Sequence, residues 1–390
     1  MKKIIFLIAV CYSFVLSAQT FIQAYQNRVN QVSQTSINSG LQEFVNLGIK
    51  TTGSTTNNNA FNWLKNKYLS FGYSSAQISE NPFTAGSMSS KNLIITKTGT
   101  VYPDTFVIIC AHYDTVNGPG ANDNGSGTVA LLEMARIMKD IPTEYSIKFI
   151  HFSGEEQGLY GSQHYVNQVV NATVPKMDIR LVFNIDQVGG RAGQTHNTIV
   201  CERDTNNFPS TNNAASHQAT LELMNCVALY SPLQTTLSSA YSSDYMPFQS
   251  NNEIITGFYE FQGELNPAPH TSADIIANMD PVYLFNVTKA ALGALQHFAK
   301  ASSSLSVSES QIEELSVSLY PIPARDHITI FSGEKKLSNF LLTITDLSGR
   351  HVMMVRNQEI INVSHLQNGI YLATIFADEK PTVKTFIIQK

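Results

Sequence analysis

The chain has 390 residues, 43 % of them hydrophobic and only 14 % charged, with a formal net charge of −5. That length suits about two domains and leaves ample material for a large buried core. The low charge and the lack of any basic cluster interleaved with aromatics exclude the ordinary signature of a nucleic-acid binder.

Lys2 and Lys3 precede an apolar run from Ile4 to Leu16, followed by the small-residue exit Ser17-Ala18. A charged start, a short apolar stretch and small residues at its end predict a secretory signal peptide over residues 1–18. The run is shorter than the ~20 residues a spanning helix needs, so no membrane span is expected in the mature protein. Cys11 leaves with this segment. Cys110 is expected to be a buried inert thiol, while Cys201 and Cys226 could pair in an oxidising compartment.

Residues 19–70 read as mainly helical, with a polar bridge from Thr51 to Asn59 and an amphipathic helix from Ala60 to Phe71 carrying Phe61, Leu64 and Tyr68 on one side. Asn92–Lys97 reads as a short strand. Thr105–Ala111 is an unbroken apolar, β-branched run, the mark of a strand buried on both faces. A loop rich in glycine follows, then a helix over Thr128–Lys139. Further strands are expected at Ser146–Phe152, Ile179–Ile185, Thr198–Glu202 and Ile254–Phe261, and helices at Leu159–Val170, Ala219–Tyr230 and Val282–Lys300. Alternating strands and helices predict an α/β domain over 19–300 with a mixed, mostly parallel central sheet flanked by helices. Residues 301–316 form a Ser-rich linker. Beyond it the period changes to two, which predicts a small all-β sandwich over 317–390.

Ligand-type side chains stand at the strand ends. His112 and Asp114 close the first buried strand, Asp123 sits in the glycine-rich loop after it, Glu155 and Glu156 follow the second, Asp186 ends the third, and His270 follows the last. In open α/β sheets such ends converge on one crevice. Imidazole and carboxylate without thiolate suit zinc, and two histidines with three carboxylates suit two ions better than one. With Asp123 as a bridge, each ion would receive one imidazole, one terminal carboxylate, the bridge and a shared water. A further carboxylate is then needed to take the water's proton and return it to the leaving group.

The ordered set His112-Tyr113-Asp114, Gly120 to Gly127, Glu155 to Ser162, Asn184-Ile185-Asp186 and His270 to Asp274 resembles the co-catalytic zinc exopeptidases, which include secreted bacterial leucyl-type aminopeptidases, the glutamate carboxypeptidase II peptidase domain and glutaminyl cyclases. The resemblance covers residues 37–300. It implies two zinc ions, one on His112 and Asp186, the other on Glu156 and His270, with Asp123 between them. It implies that Glu155 is the general base and that Asp114 accepts the second ring proton of His112. Pro269 stands where many relatives have a tyrosine that stabilises the oxyanion, leaving Tyr245 and Tyr259 as candidates, and Gln187 stands where methionine is frequent. In the C-terminal region, Leu319 to Ala324, Asp346 to Gly349 and Gly369-Ile370-Tyr371 resemble the sorting domain of the type IX secretion system, with Ile322 in place of the usual asparagine. The expected protein is therefore an exported metallo-aminopeptidase with peptide substrates and the type IX machinery as partners. A glutaminyl cyclase-like acyltransferase with one zinc and a non-catalytic surface binding protein are the alternatives, separable by metal content.

Overall fold

The computed structural model describes residues 19–205, 207–303, 317–332, 340–346, 350–377 and 380–390. The signal-peptide reading, nearly all of the linker and residues 347–349 of the C-terminal motif lie outside them. The chain divides into two compact units, Met1–Leu305 and Ser306–Lys390.

The first unit opens with helices α1 (Gln23–Val29), α2 (Gln34–Asn46) and α3 (Thr55–Ser70). The third begins within the stretch read as a polar bridge. Thr and Asn are weak helix formers, but the Ser54 side chain accepts a hydrogen bond from the Asn57 amide and so caps the helix in that run. Strands β1 (Ile78–Ala85) and β2 (Met88–Lys97) form a hairpin, and then come β3 (Tyr102–His112), α4 (Gly127–Met138), β4 (Tyr145–Phe152), α5 (Tyr160–Tyr165) and β5 (Asp178–Ile185). After these follow β6 (Thr198–Arg203), α6 (Asn213–Tyr230), β7 (Gln234–Ser239), α7 (Met246–Ser250), β8 (Ile255–Glu260) and α8 (Pro281–Phe298).

The eight strands form one mixed sheet in the order β1-β2-β4-β3-β5-β8-β6-β7. The four central strands, β4, β3, β5 and β8, are mutually parallel, while β2 and β6 join them antiparallel. Along β3, Val107, Ile109 and Ala111 enter the core on one face while Ile108 and Cys110 enter the core on the other. That double burial is why the strand reads as a continuous apolar run rather than an alternating one. Helices α4 and α8 cover the first face, and Tyr165 of α5 with Phe248 of α7 covers the second.

This order sets the site. From β3 the chain passes through α4 to β4 on one side, then through α5 on the opposite face to β5 on the other side of β3. The connections diverge at β3, leaving a crevice at the carboxyl ends of β3 and β5, where such sheets bind ligands. His112 is the last residue of β3, and Asp186 follows β5 directly.

The second unit packs a three-stranded sheet, β13-β10-β9, against a four-stranded sheet, β12-β11-β14-β15. Here β9 is Val317–Tyr320, β10 His327–Ser332, β11 Leu341–Asp346, β12 His351–Arg356, β13 Ile360–Asn362, β14 Gly369–Ala377 and β15 Lys380–Ile388. Its own core joins Leu319, Ile328 and Ile361 of one sheet to Leu342, Ala373 and Phe386 of the other. Both sheets are antiparallel throughout, as a sandwich with an alternating pattern requires.

Candidate metal centre

The sheet brings the expected ligands into two clusters that share a residue. His112, Asp123 and Asp186 each offer a donor atom within 4.8 Å of the others, and so do Asp123, Glu156 and His270. His112 Nε2 lies 3.2 Å from Asp123 Oδ1 and 3.3 Å from Asp186 Oδ1. His270 Nε2 lies 3.0 Å from Asp123 Oδ2 and 3.0 Å from Glu156 Oε2. Asp123 thus faces one histidine with each of its oxygens. The first cluster is deeply buried, whereas the His270 side chain is 56 % exposed, so the second opens to solvent.

The donor atoms fit metal ions. His112 Nδ1 lies 3.1 Å from the Asp114 backbone carbonyl, which can only accept, so Nδ1 carries a proton while Nε2 faces two carboxylates. That arrangement is repulsive unless a positive charge lies between. His112 Nε2, Asp186 Oδ1 and Glu156 Oε1 are all buried without a hydrogen-bond partner, as ligand atoms would be. Burial alone would lower the His112 pKa, but Asp186 and Glu155 outweigh it and hold the imidazole well above its ordinary range. Burial likewise acts to raise the Asp123 pKa, but the His112 and His270 imidazoles beside its two oxygens bring it down to about 2. Burial, aided by Asp123, pushes Glu156 up to about 8. A cluster that penalises negative charge on one carboxyl and retains protons on its imidazoles is one that divalent cations would stabilise.

Glu155 is the remaining carboxylate. Its Oε2 lies 4.0 Å from His112 Nε2, and burial raises its pKa to about 10 despite the opposing influence of His112. It therefore stands beside the first cluster without belonging to either.

Two buried carboxylates hold the loops that carry these groups. Asp114 accepts the Glu155 amide on Oδ1 at 3.3 Å and the Glu156 amide on Oδ2 at 3.2 Å. Its carboxylate lies 3.7 Å from His112 Nδ1, farther than its own backbone carbonyl. The expected contact to the second ring proton is thus made by the Asp114 main chain, and the side chain instead fixes the Glu155–Glu156 turn. The second case was not foreseen. Asp274 accepts the Asn122 amide at 2.7 Å and the Asp123 amide at 3.0 Å, stitching the loop of His270 to that of Asp123. Backbone approach there is close: a Cβ on Gly118 would stand 1.9 Å from the Thr271 carbonyl oxygen. The buried Lys50 ammonium adds a third tie, donating to the carbonyls of Phe44, Gly48 and Pro119. Only Asp274's place in the His270 motif hinted at this, since amide acceptors leave no pattern in side-chain spacing.

Of the two tyrosines considered for the oxyanion, Tyr245 is buried and donates to Glu202 at 2.8 Å. Tyr259 donates to Gln187 Oε1 at 3.3 Å, and the Gln187 amide donates to Asp123 Oδ2 at 3.2 Å, which puts Tyr259 at the edge of the cluster. Cys110, Cys201 and Cys226 are buried free thiols, so the possible pairing of the last two is not made. His151 is buried against the Tyr68 hydroxyl and His297 bonds the Tyr230 hydroxyl, so both are held by neighbouring tyrosines.

A mixed α/β sheet with two histidine–carboxylate clusters sharing an aspartate at its carboxyl end has the architecture of a metallopeptidase. The chain belongs to peptidase family M28, whose model matches residues 92–295. Residues 318–389 match the secretion system C-terminal sorting domain. Over 103 residues the chain is 45 % identical to aminopeptidase YwaD of Bacillus subtilis, an alignment covering 26 % of this chain and 22 % of that one. The match thus spans only about a fifth of that relative. The fold resembles the LapA aminopeptidase of Legionella pneumophila at a TM-score of 0.62 and 22 % identity, covering 73 % of each chain. It also resembles Fimbriiglobus ruber glutaminyl cyclase at 0.54 and 16 %, covering 68 % of this chain and 95 % of that one.

Proposed function

We propose that this chain is an exported zinc-dependent aminopeptidase. The observation that carries the reading is the sharing of Asp123 between two histidine–carboxylate clusters, with Glu155 beside them. His112 and Asp186 would hold one zinc, Glu156 and His270 the other, and Asp123 both. Zinc ions held there would supply a water of lowered pKa and polarise the scissile carbonyl. Glu155 takes the proton of the attacking water and returns it to the leaving amine. The Asp114 carboxylate accepts the Glu155 amide and holds its main chain in place. Tyr259, linked to Asp123 through Gln187, would serve as the oxyanion donor in place of the tyrosine that Pro269 displaces.

The match to a sorting domain supports export through the type IX machinery, with residues 1–18 as signal, 19–300 as the peptidase domain, 301–316 as linker and 317–390 as the sorting domain. Among the described residues no helix is long and apolar enough to cross a membrane.

The test is a screen of aminoacyl-anilides and dipeptides with and without a chelator, beside Glu155→Gln. The expected result is turnover that the chelator abolishes and that Glu155→Gln lowers at least ~100-fold with zinc still bound. Undiminished turnover in Glu155→Gln would remove the general-base assignment. Cyclisation of N-terminal glutamine with a single zinc would replace the aminopeptidase by a cyclase.

A further inference from the structure

A cavity of about 470 Å³ lies between the first turns of α3 and the β1–β2 hairpin, a volume in the range of small-molecule sites. None of His112, Asp123, Glu155, Glu156, Asp186 or His270 lines it. Asn57, Asn58 and Phe61 reach it from one side of α3, three and four residues apart as one helical face requires. From the hairpin come Phe83 and Ser90, which are directly paired across the strands, and Lys91.

The walls combine an apolar body with a cationic rim. Phe61 and Phe83 supply aromatic surface, and no acidic side chain lines the cavity among the described residues. Lys91 bonds Glu80 at 2.8 Å, but Glu80 also bonds Lys65 at 2.9 Å, so this surface triad retains one positive charge. The inner wall is polar and fixed: Ser90 Oγ donates to Asn57 Oδ1 at 2.6 Å and lies 2.9 Å from the Ser153 hydroxyl, and the buried Tyr113 hydroxyl bonds the Lys91 carbonyl at 2.8 Å. Ser153 precedes the Glu155–Glu156 turn by two residues and stands 3.5 Å from Thr52 Oγ1, which itself donates to Asp114 at 3.2 Å. One hydroxyl network therefore links the wall of the cavity to Asp114 beside the metal clusters.

We propose that this cavity is a ligand site separate from the metal clusters, taking a small organic carboxylate with an apolar body, of the kind presented by the C-terminal end of an apolar amino acid or short peptide. The apolar part lies against Phe61 and Phe83, and the carboxylate meets the Lys91 ammonium, a charge-assisted contact stronger than a neutral one. The site stands on the geometry of the cavity and not on the catalytic reading, so either can fail without the other.

The test is calorimetric titration of the zinc-loaded protein with 3-phenylpropionate, which has no bond a peptidase can cleave, beside its neutral counterpart 3-phenylpropan-1-ol. One equivalent of the carboxylate is expected to bind, with the alcohol weaker by about tenfold or more, the loss expected when a charged hydrogen bond is removed. Lys91→Gln should weaken the carboxylate by a similar factor, Asn58→Trp, at an exposed lining position, should block it, and His270→Ala should leave it unchanged. No binding, or equal binding of the alcohol, would overturn the proposal. So would binding that is lost in His270→Ala yet kept in Lys91→Gln and Asn58→Trp, because the carboxylate would then sit on the metal clusters.

Discussion

At the scale of single residues, the account rests on carboxylates with different work. Asp123 touches both histidines, Glu155 stands beside them, and Asp114 and Asp274 accept the backbone amides that hold the neighbouring loops. Asp114→Asn replaces an acceptor oxygen with an amide that faces the N–H of Glu155 or Glu156. It is expected to lower kcat at least about tenfold while the protein stays folded, because a misplaced base loses its alignment with the water. Circular dichroism beside steady-state kinetics checks this. Asp274→Asn loosens the join between the His270 and Asp123 loops, so the solvent-facing ion should bind more weakly than the buried one. Stepwise metal titration would then show one tight and one weakened site, and two unchanged sites would count against the stitching role.

The candidate ligands were legible in the sequence because they follow the carboxyl ends of apolar strands, directly for His112 and Asp186 and through loops for Asp123, Glu156 and His270, and such ends converge at one edge of the sheet. The division of labour was not. Asp114 stands two residues from His112 and invites the reading that its side chain aims the ring, yet its own carbonyl takes that contact and its carboxylate turns to the next loop.

At the scale of elements, what the sequence hid follows from exposure. Strand β1 went unread because only Phe83 along it is fully buried, and β7 because Gln234–Ser239 is a polar edge strand with no buried residue. The start of α3 was hidden in a Thr- and Asn-rich run whose cap, Ser54, is the only strong signal there. Ser54→Ala should cost about 1 kcal/mol of stability in a denaturant titration. Packing between the two ligand loops is less forgiving. Gly118→Ala puts a methyl group on the Thr271 carbonyl and must force the loops apart, so it should lower activity and metal affinity together. A thermally unchanged, fully active Gly118→Ala would show that the loops are not held at that distance.

On the scale of the whole molecule, the first unit builds its cores around the eight-stranded sheet, and the second has its own. The first also buries a histidine that must stay neutral. Burial depresses the His151 pKa to about 3, against an ordinary value near 6.5. In the unfolded chain this ring takes up a proton below about pH 6.5 and in the folded one it does not, so its share of stability is present above that pH and is lost as the pH falls toward 3. Thermal melts between pH 7.5 and 4.5 should therefore decline, and His151→Gln should decline less steeply over the same window. An identical slope in the variant would assign the acid sensitivity elsewhere.

The central claim is that Asp123 joins two metal ions. Metal analysis of the purified wild-type protein and of Asp123→Ala tests it most directly. The account predicts two zinc ions per chain in the wild type and loss of both from the variant after dialysis, since each ion would lose its shared ligand. One zinc per chain in the wild type, or two retained in Asp123→Ala, would contradict it.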